Sequence, residues 1–253
     1  GELATNPAVS ALSFTGSYSV GNQIYQQLAA RMARAQMEMG GKNPTIVLAD
    51  ADLDLAARLV AIAGFGLTGQ ACTATSRVIV EKGVAAAFTA KLIEKARAIV
   101  VGNGLTPGVT MGPAVNQQEL DGNLNYLAIA QQEGAKLLYG GQRLTEGELA
   151  HGFFMQPAIV GDVAPTMRIA KEEVFGPVVA IIAVENSIAN NWQGIYEPNK
   201  ERPHENNAGT RALGGIDRNK GTYNEGKSHL YQEKLERSGG TISPVRDAEG
   251  PSA

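Results

Sequence analysis

The chain has little of what disulfide-rich, metal-binding or nucleic-acid-binding proteins depend on. Among 253 residues there is one cysteine, Cys72, and there are three histidines. A single cysteine excludes an internal disulfide and fits a reducing, cytoplasmic compartment. His151, His204 and His229 are too far apart in sequence for a compact ligand motif, so no metal site is expected. Long apolar runs are missing too. The longest, from Leu53 to Leu67, is broken by Arg58 and two glycines and falls short of the roughly 20 residues that cross a bilayer. No surplus of basic charge exists, since 22 Lys and Arg face 25 Asp and Glu for a net charge of -3. These charges are scattered, without the basic stripe that a nucleic-acid partner requires. No Gly-x-Ser-x-Gly elbow is present. The opening residues carry neither the basic start nor the apolar stretch of a secretory signal, and no initiator Met. The sequence is therefore expected to begin partway through a longer protein.

Up to Val184, strand-like and helix-like segments alternate, which predicts an α/β fold. Strands are expected at 9–14, 45–48, 76–80, 137–139, 152–160 and 178–184. A helix is expected from about Ser19 to Ala35, with Val20, Ile24, Leu28 and Met32 on one face. Asp50 and Asp52 flank the start of another, whose apolar face is Leu53, Ala56, Ala57 and Val60. Val84, Phe88, Leu92 and Ala96 mark a third, and residues 116–133 a fourth, closed by Gly134. Beyond Glu185 the composition turns to Asn, Gly, Glu, Lys and Arg with sparse aliphatics. Such a segment cannot easily offset the entropy of ordering. Residues 185–253 are therefore expected to be an irregular tail, with at most a weak helix at 227–237.

Four short constellations carry chemical interest. The first, Phe14-Thr15-Gly16-Ser17 followed by Gly21, turns a strand into a helix. Such a turn presents free backbone N–H groups and a positive dipole end to a phosphate, although an ordinary strand–helix turn reads the same way. The second, Glu38-Met39-Gly40-Gly41-Lys42-Asn43-Pro44, sets a carboxylate between two methionines and before a glycine pair. Apolar surroundings would suit that carboxylate to general-base work, and glycine allows close backbone approach. A structural Glu at a strand end is the alternative. In the third, Cys72 ends a glycine-rich stretch, Gly64 to Cys72, rather than sitting inside an apolar helix. Nearby backbone N–H groups there can stabilise a thiolate or an oxyanion; a lone cysteine can equally serve as a small buried hydrophobe. The fourth, Glu172-Glu173-Val174-Phe175-Gly176-Pro177, joins two carboxylates to an aromatic ring and a turn. It could hold a ribose diol and support a flat ring, or be a solvated acidic pair.

Taken in order, these four segments resemble the signatures of the aldehyde dehydrogenase superfamily, across about residues 1 to 184. The wording of Met39 to Pro44 and of Thr68 to Arg77 is most similar to the branch that oxidises α-ketoglutarate semialdehyde. The resemblance implies an aldehyde dehydrogenase-like open twisted sheet with flanking helices, truncated and followed by the irregular tail. It implies a remnant of a cofactor-binding domain at 1–36 and a thiol-bearing catalytic domain at 37–184. It also implies NAD or NADP as cofactor, a small-molecule aldehyde as substrate, and the homo-oligomeric assembly usual in the family.

Residue by residue, the resemblance makes Cys72 the nucleophile that forms a thiohemiacetal and then a thioester. Glu38 becomes the base that activates water. Gly16, Ser17 and Gly21 fall at the cofactor-phosphate turn, Gly40 beside the cofactor, Glu173 at the ribose hydroxyls and Phe175 at the nicotinamide side. The Cys72 backbone N–H would share the oxyanion with an Asn side chain from a part of the family pattern that has no counterpart here. After Val184 the family's C-terminal segments have no counterpart either. Two other readings follow from that incompleteness: a Cys72-dependent esterase or thioesterase without hydride transfer, and a non-catalytic fragment.

Overall fold

The computed structural model describes residues 1–185. The tail expected beyond Glu185, its helix at 227–237, and His204 and His229 lie outside the described residues.

After a single helical turn, α1 (Glu2–Thr5), the chain forms β1 (Ala11–Gly16), α2 (Tyr18–Ala29) and β2 (Arg34–Met39). β1 and β2 pair in parallel, with Thr15 opposite Glu38 and Gly16 opposite Met39. Parallel neighbours need a crossover, and α2 supplies it. The helix expected over 19–35 therefore ends early. Met32 takes φ of 57°, and the Ala33 N–H donates back to the Leu28 carbonyl, so the chain turns and its next six residues become a strand. The proposed apolar face does not hold as a unit. Leu28 is fully buried, whereas Val20 is exposed and Met32 is 92% exposed.

Three residues later begins a five-stranded mixed sheet: β3 (Asn43–Val47), β4 (Thr75–Glu81), β5 (Lys136–Tyr139), β6 (Ala158–Gly161) and β7 (Val178–Val184), in the order β3-β4-β7-β6-β5. All its pairings are parallel except β5 with β6. The strand expected at 152–160 shrinks to β6, because Gly152 to Pro157 form only an isolated bridge, Met155 with Arg143.

Strand alternation divides the core in two. Val78 and Val80 of β4, Ile159 of β6, and Val179 and Ile181 of β7 pack on one face with α3 (Leu53–Phe65) and α4 (Lys82–Arg97). Ile79, Ala158, Val160, Val178, Ala180 and Ile182 face the other way, against α5 (Gln117–Gln132) and the short α6 (Arg168–Lys171). Both faces being covered explains why β7 reads as a continuous apolar run.

The helices begin where the sequence marks them. Asp52 accepts from the backbone N–H groups of Asp54 and Leu55 at 3.1 and 3.0 Å. Asn116 accepts from Glu119 N–H at 2.9 Å. Caps of this kind contribute about 1 kcal/mol each. Phe88 and Leu92 of α4 are fully buried, each contributing about 2 kcal/mol from removal of apolar surface from water. Gly134 closes α5 with φ of 100°.

Candidate active site

The site is built at the end of α3. There the chain passes through a 3-10 turn, Gly66–Gly69, in which Leu67, Thr68 and Gly69 have φ of 52°, 60° and 64°. Three successive left-handed residues, one of them β-branched, cost on the order of 1 kcal/mol or more apiece for the non-glycines. Surrounding contacts hold them. Thr68 is buried and its hydroxyl donates to the Gly112 carbonyl at 3.1 Å. Gln70 donates to the Pro113 carbonyl at 3.2 Å and accepts from the Val115 N–H at 2.8 Å. Gly69 lies so close to Gly176 that an added Cβ would sit 2.1 Å from its carbonyl oxygen.

This strained and braced turn delivers Cys72 to the surface, where it is exposed. Its carbonyl is gripped from β3: the Asn43 side-chain amide donates to Cys72 O at 2.5 Å and to Ala74 O at 3.2 Å. Among the described residues none accepts from the Cys72 backbone N–H, so that donor is free.

Cys72 lines a cleft together with Gly41, Asn43, Glu173 and Phe175. The third and fourth constellations of the sequence therefore meet. Phe175 is 38% exposed and presents an apolar ring to the cleft. The two adjacent acids separate in role. Glu172 accepts from Arg168 at 2.9 and 2.8 Å and from the Tyr126 hydroxyl at 2.8 Å. Arg168 in particular holds the Glu172 carboxyl below the usual carboxylate range. Glu173 instead turns to the cleft, where one oxygen accepts from the Gly41 N–H at 3.3 Å. Gly40 must be glycine for this to happen, because a Cβ there would overlap the Glu173 carboxylate at 1.7 Å.

Glu38 lies on β2, exposed, one residue before the Met39–Gly40 bend, and is not among the residues that line the Cys72 cleft. The apolar shelter expected from Met37 and Met39 does not form. Side chains alternate along β2, so the methionines are half-buried on one face and Glu38 is on the other. Gly16 ends β1, and Ser17 caps α2, its hydroxyl accepting from Val20 N–H at 3.5 Å. Gly21 is buried against Met39, whose sulfur would be 2.6 Å from an added Cβ. Gly16, Ser17, Glu38 and Gly40 thus share the carboxyl end of the small parallel sheet, the end at which open α/β sheets receive ligands.

Two contributors escaped the sequence reading as site residues. Asn43 gave a weak signal, an amide just before a strand. Lys42 gave none. Its Nζ is buried without a hydrogen-bond partner among the described residues. Burial first, and then the nearby Arg77 guanidinium, push its pKa down to about 7, against an upward pull from Glu173 and Glu172. Arg77 donates to the Ala170 carbonyl at 2.9 Å. Among the described residues no cluster of metal-ligating side chains exists, and no helix is long and apolar enough to cross a membrane.

Comparison with known proteins gives this arrangement a context. The chain is 48% identical over 184 residues to an alpha-ketoglutaric semialdehyde dehydrogenase of Bacillus subtilis, covering 73% of this chain and 38% of that protein. An alpha-ketoglutarate semialdehyde dehydrogenase of Haloferax volcanii is 47% identical over 186 residues, with the same shares covered. The chain thus spans under two fifths of the length of these relatives. Among solved structures, betaine aldehyde dehydrogenase from Staphylococcus aureus in complex with NAD+ matches with a TM-score of 0.70 and 34% identity, over 72% of this chain and 36% of that one. The likeness confirms the expected α/β architecture, a mixed sheet flanked by helices. The sequence pattern described as "Aldehyde dehydrogenase family" matches residues 1–191, a span that takes in the strained cysteine turn, the acid-and-ring segment and both sheets, and the chain belongs to that family.

Proposed function

We propose that this chain carries the thiol-bearing part of an NAD(P)-dependent oxidation of an aldehyde to a carboxylic acid. The observation that carries the reading is the exposed Cys72 sharing one cleft with Glu173 and Phe175. Residues 37–184 act as the catalytic domain and residues 1–36 as part of a cofactor domain.

In this reading the Cys72 thiolate attacks the aldehyde carbon, forming a C–S bond and placing negative charge on the former carbonyl oxygen. The free backbone N–H of Cys72 donates to that oxyanion. NAD or NADP, when bound, supplies the acceptor for the hydride whose loss leaves a thioester on Cys72. The residues present fit such a group. Phe175 offers a flat apolar surface beside the thiol, and Glu173 has a second carboxylate oxygen that accepts from no donor among the described residues, suited to ribose hydroxyls. Gly16 and Ser17 open α2 with backbone N–H groups for phosphate. Gly21 and Gly40 keep the surrounding backbone close, each at a position where a Cβ would collide. Glu38 takes a proton from water, which attacks the thioester carbonyl and releases the carboxylic acid while the thiol is restored. The relatives named above make a short semialdehyde bearing a carboxylate the first substrate to try.

The test incubates the full chain with such a semialdehyde and NAD+ or NADP+, following reduced nicotinamide by absorbance and the Cys72 peptide by mass spectrometry. Reduced nicotinamide should form and be abolished in Cys72→Ala, and Glu38→Gln should accumulate an acyl adduct on Cys72. Aldehyde oxidation that survives in Cys72→Ala refutes the assignment. Ester cleavage that needs Cys72 and ignores nicotinamide would point to the esterase reading instead.

A further inference from the structure

Lys42 is the residue of the Gly40–Asn43 strap that the chemistry above does not use, yet it occupies the centre of the strap. Its neighbour Gly41 donates to Glu173, and its other neighbour Asn43 donates to the carbonyl of Cys72. Its own Nζ is buried and meets no hydrogen-bond acceptor among the described residues. The charges that act on it come from two elements: Arg77 on β4, and Glu172 and Glu173 on the segment after α6. Glu172 is already held by Arg168 and Tyr126. Among the described residues Glu173 has a single, long hydrogen bond, 3.3 Å from the Gly41 N–H. A buried ammonium with no acceptor is costly unless a nearby carboxylate compensates it, and Glu173 is the acid with capacity to spare.

We propose that Lys42 is a positioning residue: its buried ammonium holds the Glu173 carboxylate against the Gly40–Gly41 backbone, and thereby fixes the acid that faces the Cys72 cleft. The role rests on the proposed function only in that Glu173 matters there as a cofactor ligand; the electrostatic hold exists with or without the reaction. When Lys42 is charged, Glu173 is drawn onto Gly41. When Lys42 loses its proton the draw disappears, Arg77 no longer repels it, and the carboxylate is held by one weak hydrogen bond. Because burial brings the Lys42 pKa to about 7, the change falls within the physiological range.

The Gly41 amide is a direct reporter. In the full chain its proton resonance is followed from pH 5.5 to 9 in wild type, Lys42→Met, Lys42→Arg and Glu173→Gln, alongside the ε-carbon resonance of Lys42. Wild type should show one step in the Gly41 shift that coincides with Lys42 titration. Lys42→Met should lack the step, and Lys42→Arg should keep the low-pH shift throughout. In Glu173→Gln the Lys42 midpoint should fall by about half a pH unit or more, since an attractive charge has been removed. A Gly41 step that persists in Lys42→Met, or a Lys42 midpoint unmoved by Glu173→Gln, overturns the proposal. NAD+ affinity measured by calorimetry on the same proteins separates the two ideas. Several-fold weaker binding in Lys42→Met, restored in Lys42→Arg, supports both. A Gly41 step with no NAD+ binding in any variant supports the Lys42 role and counts against the nucleotide reading.

Discussion

The buried Lys42 makes a prediction about stability whose sign is fixed by linkage. In the unfolded chain its pKa returns to the ordinary lysine value of 10.5, and in the folded protein burial lowers it to about 7. Between those values the unfolded chain holds a proton that the folded protein does not. Stability attributable to this group therefore rises with pH across that window and is lowest below pH 7, where the buried amine must be charged. One proton over a pH unit is worth about 1.4 kcal/mol, so the window has a ceiling of about 5 kcal/mol. Local relaxation and water entry reduce such penalties, and about 2 kcal/mol is the expected span. Lys42→Met keeps the aliphatic stem and removes the charge. It should be more stable than wild type at pH 6.5 by about 2 kcal/mol, with the advantage vanishing by about pH 10. Urea denaturation of both proteins at three pH values measures the difference, in which titration of the exposed lysines cancels. A difference independent of pH would show that the Lys42 amine is hydrated or paired in the folded state and would refute the reasoning.

Other substitutions separate backbone collisions from side-chain ones. Gly69→Ala drives a methyl into the Gly176 carbonyl at a left-handed position; neither partner can yield, so a loss of about 3 kcal/mol is expected in thermal melts. Gly40→Ala meets only the end of the Glu173 side chain, which can swing away. That variant should melt within a few degrees of wild type yet bind NAD+ at least several-fold more weakly by calorimetry. Asn43→Ala removes two hydrogen bonds to the cysteine turn, costing about 1–2 kcal/mol. It should also raise the rate of Cys72 alkylation by iodoacetamide, because the turn loosens.

The elements that the sequence revealed were those with a single dominant signal. Asp52 and Asn116 announced helix starts, Gly134 a helix end, and the apolar run at 178–184 a strand. β2 was hidden because Arg34 to Met39 alternates charged or polar residues with Ala and Met, a pattern that extends a helix as readily as it starts an edge strand. Tertiary pairing with β1 decides it, and propensity cannot see that. At the site, the proximity of Cys72 to Glu173 and Phe175 followed from family resemblance and not from spacing, since about a hundred residues separate them. The strain at Leu67 and Thr68 was invisible for another reason: neither residue type favours a left-handed backbone. The shelter assigned to Glu38 failed because neighbours in a strand point to opposite faces.

The strap from Gly40 to Lys42 leaves almost no slack between the two sheets. An added residue there would have to bulge out of the strap, pulling the Gly41 N–H off the Glu173 carboxylate and disturbing the start of β3, where Asn43 grips the cysteine carbonyl. The exposed loop from Asn103 to Gly108 touches none of these contacts. For anyone inserting a tag or reporter, the first location would silence the thiol, and the second would leave it untouched.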